Sequence, residues 1–325
     1  MKNIIFIIIF SVSLYSYAQG NVTIIDSVYF ESMRNKFNVK LEFDNDIETF
    51  EFNDIDNKYS VKPNTSLRTL IGFNYRFLSL KIGFSPKLFK SKDYDEKGDT
   101  RVFKLSFDVF YKKWIQTFEY SDMKGYYIEN LFDENNNYIV LPNLKTQVIR
   151  GITRYSFNDK FSLKAVRNQI DIQRKSAGSF VPSLMYEYFK ISDNTNLIKI
   201  QSVNFIVDVN YIYTFVINKK WYTNVGLAPG LGYGFNKLTE GEGGNETMSN
   251  DFILNFKSLI SLGYSSKYFY GGITYKLIAT SSVDDSVINF DSLRSIINIS
   301  IGYRFKPPKA IKNSFDWVED RTPLK

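Results

Sequence analysis

Residues 203–218 alternate between two kinds of side chain, and this alternation predicts a strand with two unlike faces. One row of alternate positions is apolar or aromatic throughout, whereas the other row includes asparagine, aspartate and threonine. The apolar row is Val203, Phe205, Val207, Val209, Tyr211, Tyr213, Phe215 and Ile217. Such a row faces either a protein core or lipid, and other features of the chain must decide between them.

The same period of two recurs along the chain, in residues 79–85, 101–111, 221–235, 252–264 and 292–305. Several of these segments reach or exceed the roughly nine to eleven residues that cross a bilayer with tilt. Aromatic residues gather near the segment ends, as in the aromatic girdles of membrane barrels. They are Trp114, Trp221, Tyr233, Phe235, Tyr264, Tyr268, Tyr303 and Phe305. A soluble β-sandwich is the alternative, but its polar rows rarely carry as many glycines as residues 221–235 do.

The placement of turns predicts an all-β, transmembrane antiparallel β-barrel of about twelve strands with both termini on the periplasmic side. If residues 37–43 form the first strand, every short turn falls on one side and every long polar link on the other. This count requires residues 161–200 to supply one membrane crossing rather than two. Since the alternation falters at Arg167–Ile170, we expect an outer hairpin or an inward fold within residues 174–200.

The two ends of the chain differ from the barrel region. Lys2, an apolar stretch and Ser16-Tyr17-Ala18 form an export signal over residues 1–18, with cleavage predicted between Ala18 and Gln19. A retained N-terminal anchor is the alternative, although the stretch is too short to span a bilayer as a mature helix. The remaining chain divides into three parts. They are a periplasmic segment 19–35, the barrel 36–305 and a polar periplasmic tail 306–325 that follows the last strand.

Histidine and cysteine are both absent from the 325 residues, and this absence removes several kinds of chemistry. Without them the chain has no Ser-His or Cys-His catalysis, no thiol nucleophile, no disulfide and no imidazole metal ligand. The net charge of +7 is modest, and no recognition helix or RNA-binding signature argues for nucleic acid. We therefore expect a non-enzymatic protein with no cofactor, no metal and no nucleic-acid partner.

The stretch KSAGSF suggests a serine nucleophile at Ser176 or Ser179. A nucleophile needs a base, and Lys175 would lie on the opposite face of a strand from Ser176. We favour a tight turn in which Gly178 adopts a positive φ and packs against the lumen wall.

The acidic stretch 238–250 carries Glu240, Glu242 and Glu246, three carboxylates that could bind calcium. Their spacing does not match a helix-flanked calcium loop, so we favour a mobile outer loop. Three Asp-Ser-aliphatic triplets, at residues 26–28, 285–287 and 291–293, resemble bacterial O-glycosylation sites and leave glycosylation open.

Charged residues of both signs fall on the row that alternates with the apolar one. The candidate lumen lining is Arg76, Lys81, Lys104, Asp108, Glu119, Arg150, Arg154, Glu187, Asp208, Lys257, Lys276, Arg294 and Arg304. Opposite charges on neighbouring strands can satisfy one another in a structural network. Alternatively, the cationic excess lines a pore that favours anionic solutes.

Four stretches occur in an order that resembles a known family. YSVKPNTSLRTLIGFNYRFLSLKIGF (59–84), KGYYIEN (124–130), RYSFNDKFSLKA (154–165) and QRKSAGSF (173–180) are similar to a family of Gram-negative Bacteroidota proteins, domain of unknown function 4421. The similarity runs from about Asp26 to Phe305. The resemblance implies an exported outer-membrane β-barrel and supplies no activity or catalytic residue.

Together these features predict an outer-membrane β-barrel, either a narrow, porin-like passive channel for small anionic solutes or an envelope-structural protein. One alternative is a scaffold that binds a partner through residues 122–145, 236–249 or 306–325. A lipid-modifying barrel enzyme is less expected, because familiar versions use histidine. The expected partners are outer-membrane lipid and, during biogenesis, the barrel-assembly machinery.

Overall fold

The computed structural model describes residues 28–53, 58–65, 67–86, 93–133, 137–193, 198–241, 244–283 and 291–324. These residues form fifteen strands and three helices. The strands are β1 Phe30–Ser32, β2 Phe37–Asn53, β3 Lys58–Lys62, β4 Arg68–Tyr75, β5 Leu78–Phe84, β6 Arg101–Tyr111, β7 Trp114–Phe132, β8 Tyr138–Tyr155, β9 Asp171–Gln173, β10 Ala177–Ser192, β11 Ile198–Ile217, β12 Trp221–Glu240, β13 Asn245–Ser265, β14 Phe269–Ser282 and β15 Asp291–Phe305. The helices are α1 Tyr94–Lys97, α2 Leu163–Asn168 and α3 Lys309–Glu319, and no described helix is long and apolar enough to cross a membrane.

Twelve strands close into one antiparallel ring, in the order β2-β4-β5-β6-β7-β8-β10-β11-β12-β13-β14-β15. The ring closes because β15 pairs with β2 from Asp291–Glu51 to Phe305–Phe37. The short β3 bridges β2 and β7 above the three short strands β4, β5 and β6. The predicted barrel of about twelve strands is confirmed, and β10 is the single crossing within residues 161–200.

The four shortest connections of the ring lie at one end of the barrel, which we call the short-turn end. They are residues 76–77, 112–113, 218–220 and 266–268. Arg76, Lys112 and Asn218 adopt left-handed backbone conformations there, with φ near 50°, and so reverse the chain within two or three residues. Both the start of β2 and the end of β15 also lie at the short-turn end. The opposite end is called the long-loop end.

The apolar row of β11 points outward from the ring. Val207 is 55% exposed and Ile217 is 58% exposed, and the corresponding rows of β12, β13 and β15 are equally open. About ten residue steps from Phe205 to Phe215, at about 3.3 Å each and tilted by about 40°, give an apolar band roughly 25 Å tall. Aromatic side chains lie along the edge of this band at the short-turn end, where the ring centres of Trp221 and Tyr264 are 5.2 Å apart.

The other row points into the barrel, where neighbouring strands share limited space. Gly230 of β12 is paired with Asp208 of β11, and a Cβ atom on Gly230 would lie 2.3 Å from the Asp208 Oδ1 atom. The glycines on the inner row of β12 therefore make room for the larger inward side chains of β11.

One predicted feature differs from the observed chain path. The inward fold occupies residues 156–176, which overlap the predicted range 174–200 only at residues 174–176, and it lies at the short-turn end. The tail 306–325 contains α3, and within the segment 19–35 strand β1 pairs with β9. The signal 1–18 and its cleavage position lie outside the described residues.

Candidate functional site: the barrel interior

Residues 156–176 form a structure across the short-turn end that we call the plug, and its strand β9 pairs with β1. The α2 helix of the plug starts at Ser162, whose hydroxyl accepts a hydrogen bond from the Ala165 amide at 3.2 Å. It ends at Gln169, whose backbone is left-handed with φ 58° and turns the chain back toward β9. The alternation breaks in this segment because the chain forms a helical turn there.

Polar contacts attach the end of α2 to three neighbouring strands of the ring. The Gln169 carbonyl accepts hydrogen bonds from Asn38 Nδ2 at 3.2 Å and from Arg304 Nη2 at 2.7 Å. The Asn168 carbonyl accepts one from Asn74 Nδ2 at 3.2 Å. These contacts come from β2, β15 and β4, so one helix end is held by three separate strands. Arg304 is fully buried and also lies 4.4 Å from the Tyr270 ring.

Asp108 of β6 is the main acceptor for plug side chains. Asn168 Nδ2 donates to Asp108 at 2.5 Å and Arg167 Nη2 at 3.2 Å, while Thr117 Oγ1 of β7 donates at 2.5 Å. Charge-assisted hydrogen bonds of this kind are stronger than neutral ones. Asp108, predicted as lumen lining, therefore anchors the plug.

Apolar packing and burial complete the plug. Phe161, Leu163 and Ile170 pack in one cluster with barrel residues that include Phe110 and Val181. Inside the plug, Asp171 accepts a hydrogen bond from the Ser162 hydroxyl at 2.6 Å. Burial raises the pKa of Asp171 above the usual range of an aspartate, and burial lowers the pKa of Lys164.

Above the plug the barrel encloses a cavity of about 370 Å³, which we call the chamber. Its lining includes most of the predicted lumen residues: Lys81, Lys104, Asp108, Glu119, Arg150, Arg154, Glu187, Lys257, Lys276 and Arg294. Asp208 is fully buried behind this lining, where it accepts a hydrogen bond from Lys257 at 2.6 Å, and Arg304 lies at the plug. Arg76 is not in the lumen, since β4 ends at Tyr75 and Arg76 turns toward α3, where it pairs with Glu319 at 2.8 Å.

A charged row on β2 was not among the predicted lumen residues. Lys40, Glu42, Asp44, Asp46 and Glu48 all point inward, and β2 continues ten residues past Phe43. Lys40 and Glu42 lie on the polar row of the predicted strand 37–43, and extending the alternation past Phe43 would have added Asp44, Asp46 and Glu48. The outward positions Asn45 and Thr49 are polar, however, and the apolar signal stops there.

Most charges in the chamber wall are paired. The missed Arg68 of β4 binds both oxygens of Asp44, at 2.6 and 2.9 Å. Asp46 accepts from Arg294 at 2.7 Å, and Glu42 pairs with Lys40 and Lys81 at 2.6 and 2.9 Å. Paired charges on neighbouring strands neutralise much of the wall. Arg150 pairs likewise with Glu187.

Two cations stand apart from these networks. Lys104 and Lys276 make no hydrogen bond or ion pair with the part of the chain that the structure describes. Arg154 donates to the Thr117 hydroxyl at 2.8 Å and has no carboxylate partner among the described residues. The chamber therefore holds positive charge that its own wall does not neutralise.

At the long-loop end a cluster of buried apolar side chains narrows the interior. We call it the apolar cap, and it consists of Phe50, Val61, Val102, Met123, Tyr126, Phe189, Ile191, Ile200 and Leu238. The cap joins inner rows from β2 round to β12. Beside it, along β12–β15, the chamber continues between the polar side chains of Asn236, Asp251, Ser282 and Ser292.

The serines of KSAGSF have structural partners. The Ser176 hydroxyl accepts from the Val216 amide at 2.9 Å, and the Ser179 hydroxyl accepts from the Asn158 amide at 3.0 Å. Gly178 lies within β10 rather than in a turn, and it packs under Tyr211 and Tyr213 on the outer face rather than against the lumen wall. That the chain is not an enzyme stays a prediction.

The other candidate sites lie near the long-loop end. Glu246 pairs with Lys237 at 2.6 Å, Glu240 ends β12, and Glu242 lies outside the described residues. No group of three or more acidic, histidine or cysteine residues suited to a metal occurs in the described part of the chain. Ser292 of the third Asp-Ser-aliphatic triplet is buried at the chamber, and the first two triplets fall in ranges that are not described in full.

Known structures with similar folds are barrels of outer membranes. The outer membrane protease OmpT from Escherichia coli has 6% identity and a TM-score of 0.36, covering 85% of this chain and 98% of its own. An outer membrane channel from Pseudomonas putida F1 has 10% identity and a TM-score of 0.37, and the match covers 88% of this chain and 100% of the channel. OmpT of Vibrio cholerae has 7% identity and a TM-score of 0.33, covering 83% and 98%.

No curated protein sequence matches this chain. A family match, by contrast, covers most of it, from residue 24 to residue 305, which is the whole barrel together with β1 and the plug. The resemblance noted in the sequence is thereby confirmed, and the chain belongs to the family described as Domain of unknown function (DUF4421).

Proposed function

We propose that this protein is an outer-membrane β-barrel that acts as a gated, narrow channel for small anionic solutes. The outward apolar rows support the membrane location, because an exposed apolar band roughly 25 Å tall is suited to lipid. Ring closure supports it as well, since a sheet in hydrocarbon can leave no strand edge unpaired. The short-turn end then faces the periplasm, and the surrounding lipid is the first partner.

One observation carries the channel assignment, namely a polar chamber that continues toward the long-loop end and is blocked at the other end by the plug. A purely structural barrel needs neither uncompensated cations nor an internal cavity. Besides its apolar packing, the plug is held by hydrogen bonds at Gln169, Asn168 and Asp108. Polar contacts of this kind can exchange for water when the plug moves. The plug is therefore the gate.

A reversible cysteine lock tests the gate, because a disulfide between β9 and β1 ties the plug to a strand that only residues 33–36 separate from β2 of the ring. Ser32 of β1 and Asp171 of β9 face each other. Hydrogen bonds flank this pair, from the Met33 amide to the Ile170 carbonyl and from the Arg174 amide to the Tyr29 carbonyl. Ser32 and Asp171 thus occupy a non-hydrogen-bonded position, where side chains are closest. The chain has no native cysteine to interfere.

In planar bilayers we expect wild-type protein to be closed most of the time, with brief anion-selective openings. The oxidised S32C/D171C variant should lose these openings, and reduction should restore them. Single variants S32C and D171C are the controls, since each should behave the same with and without reductant. Steady current that oxidation leaves unchanged would exclude the plug as a gate.

A scaffold role is the second candidate, and α3 favours it. This helix follows the family region and leaves Trp317 59% exposed beside Arg321 at 4.4 Å. Native co-purification after mild detergent extraction, with and without residues 309–324, tests this role. A stoichiometric protein lost on deletion would favour the scaffold.

A further inference from the structure

We infer that the chamber binds a small organic anion, with its charged group on Lys104, Lys276 and Arg167 and its apolar body on the adjacent aliphatic wall. This inference rests on the proposed function and names the class of solute that the channel would take. Three features of the chamber support it: unneutralised positive charge, an apolar wall beside that charge and a suitable volume.

The positive charge converges from three elements. Lys276 reaches inward from β14 and interacts electrostatically with Arg167 of the plug and with Lys81 and Lys104 across the barrel. Arg167 uses Nη2 for Asp108, but its buried Nε has no hydrogen-bond partner in the described structure. Buried donors without a partner are rare in proteins. This arrangement fits an oxyanion that accepts several charge-assisted hydrogen bonds at once.

No carboxylate lies directly opposite Lys104 on either adjacent strand. The cross-strand neighbours of Lys104 are Gly83 and Ser121, and neither of them can neutralise an ammonium group. Glu119 interacts with Lys104 but also lies 3.5 Å from Arg150. Lys81 already shares Glu42 with Lys40. An incoming anion would therefore meet few opposing charges.

The wall beside Lys276 is aliphatic. Its cross-strand neighbours are Leu259 of β13 and Ile296 of β15, and both line the chamber. Ile212 of β11 continues this apolar surface, since Ile212 and Leu259 lie on either side of Gly226 of β12. A ligand with only charged groups would leave the aliphatic side uncovered, whereas an organic anion covers both sides. The chamber volume of about 370 Å³ lies within the range of small-molecule sites, roughly 300–1,000 Å³.

Isothermal titration calorimetry on the folded protein in nonionic micelles tests the inference, with phenyl phosphate, inorganic phosphate and benzylamine as probes. We expect phenyl phosphate to bind, inorganic phosphate to bind at least about tenfold more weakly because it lacks the ring, and benzylamine not to bind. Lys104→Gln and Lys276→Gln should each weaken phenyl phosphate by about tenfold or more. Lys220→Gln, in an exposed turn, is the control and should leave the affinity unchanged.

Circular dichroism and heat-dependent gel mobility should show that each variant is folded, as the absence of partners for Lys104 and Lys276 predicts. Benzylamine binding as tight as phenyl phosphate, or phenyl phosphate binding that survives both substitutions, would overturn the site. If phenyl phosphate does not bind but the cysteine lock still controls the current, the site is excluded and the gate proposal stands. Binding with a current that does not respond to the lock would instead exclude the gate, and binding without any current would exclude the channel.

Discussion

The two ends of the barrel are obstructed by different kinds of interaction. At the short-turn end, the plug is attached by hydrogen bonds and charge at Gln169, Asn168 and Asp108, in addition to its apolar packing against the barrel. At the long-loop end, the apolar cap packs Phe50 against Tyr126 and Phe189, with ring centres 6.2 and 5.8 Å apart. Hydrogen bonds can be exchanged for water, but buried apolar surface has no such substitute. If the barrel gates as proposed, the plug, which has the larger share of polar contacts, is the end that moves, and the cap stays in place.

The largest effect is expected from Phe50→Ala in the apolar cap. The substitution removes a side chain that is 3% exposed and leaves a cavity, so the free energy of unfolding should fall by about 3–5 kcal/mol. Urea titration of the protein in micelles measures this. Phe205→Ala on the outer face is the matched control and should cost less, since no internal cavity forms. Equal losses would mean that the cap is loosely packed.

The next effect concerns the plug, through Arg304→Gln. The guanidinium donates to the Gln169 carbonyl, to the Ser266 carbonyl at 2.5 Å and to the Ser265 hydroxyl. Its loss should therefore lower the free energy of unfolding by about 2–3 kcal/mol. Unlike the cap variant, it should also increase the frequency of channel openings. Arg101→Gln is the control, because the Arg101 side chain is 80% exposed. A stability loss without more openings would argue against plug movement.

A smaller loss is expected from Asn168→Ala. It removes one hydrogen bond to Asp108 and leaves those from Arg167 and Thr117, so the cost should be about 1–2 kcal/mol. Openings should again increase, but less than for Arg304→Gln. Single-channel recording measures the opening frequency of the two variants. More openings for Asn168→Ala than for Arg304→Gln would show that Arg304 does not hold the plug.

The smallest effect is expected from pH, through α3. Hydrogen bonds from Lys312 and Arg76 lower the pKa of Asp316 below its usual range. The ion pairs therefore stabilise α3 at a pH above the ordinary aspartate pKa, and this support is lost as pH falls through the lowered pKa. Trp317 fluorescence in a W114F/W221F background should change on acidification. Asp316→Asn should reduce the change, and an unaltered response would exclude Asp316 as its source.

The sequence predicted the barrel well because the alternation of β11, β13 and β15 depends only on which face each side chain occupies. Because short turns and long links must fall at opposite ends of the barrel, residues 161–200 could supply only one membrane crossing. The plug could not be placed in the same way. Its position depends on contacts far apart in sequence, such as that between Gln169 and Arg304, and no local period records them.

The candidate site was predicted in part for the same reason. Inward charges such as Lys104 and Lys276 follow from the alternation, but their lack of partners depends on the three-dimensional register. Arg76 was misplaced because the strand ends one residue earlier, at Tyr75. The row of β2 beyond Phe43 was missed because its outward neighbours are polar where β2 leaves the apolar band.

The membrane orientation of the strands underlies the whole account, and nitroxide scanning of β11 tests it most directly. The chain contains no cysteine, so single cysteines can be placed at each position from 203 to 217 and labelled in lipid vesicles. We predict that odd positions are accessible to oxygen dissolved in lipid and protected from a water-soluble nickel reagent. Even positions should be protected from oxygen. Equal access of the nickel reagent to both rows would contradict the account.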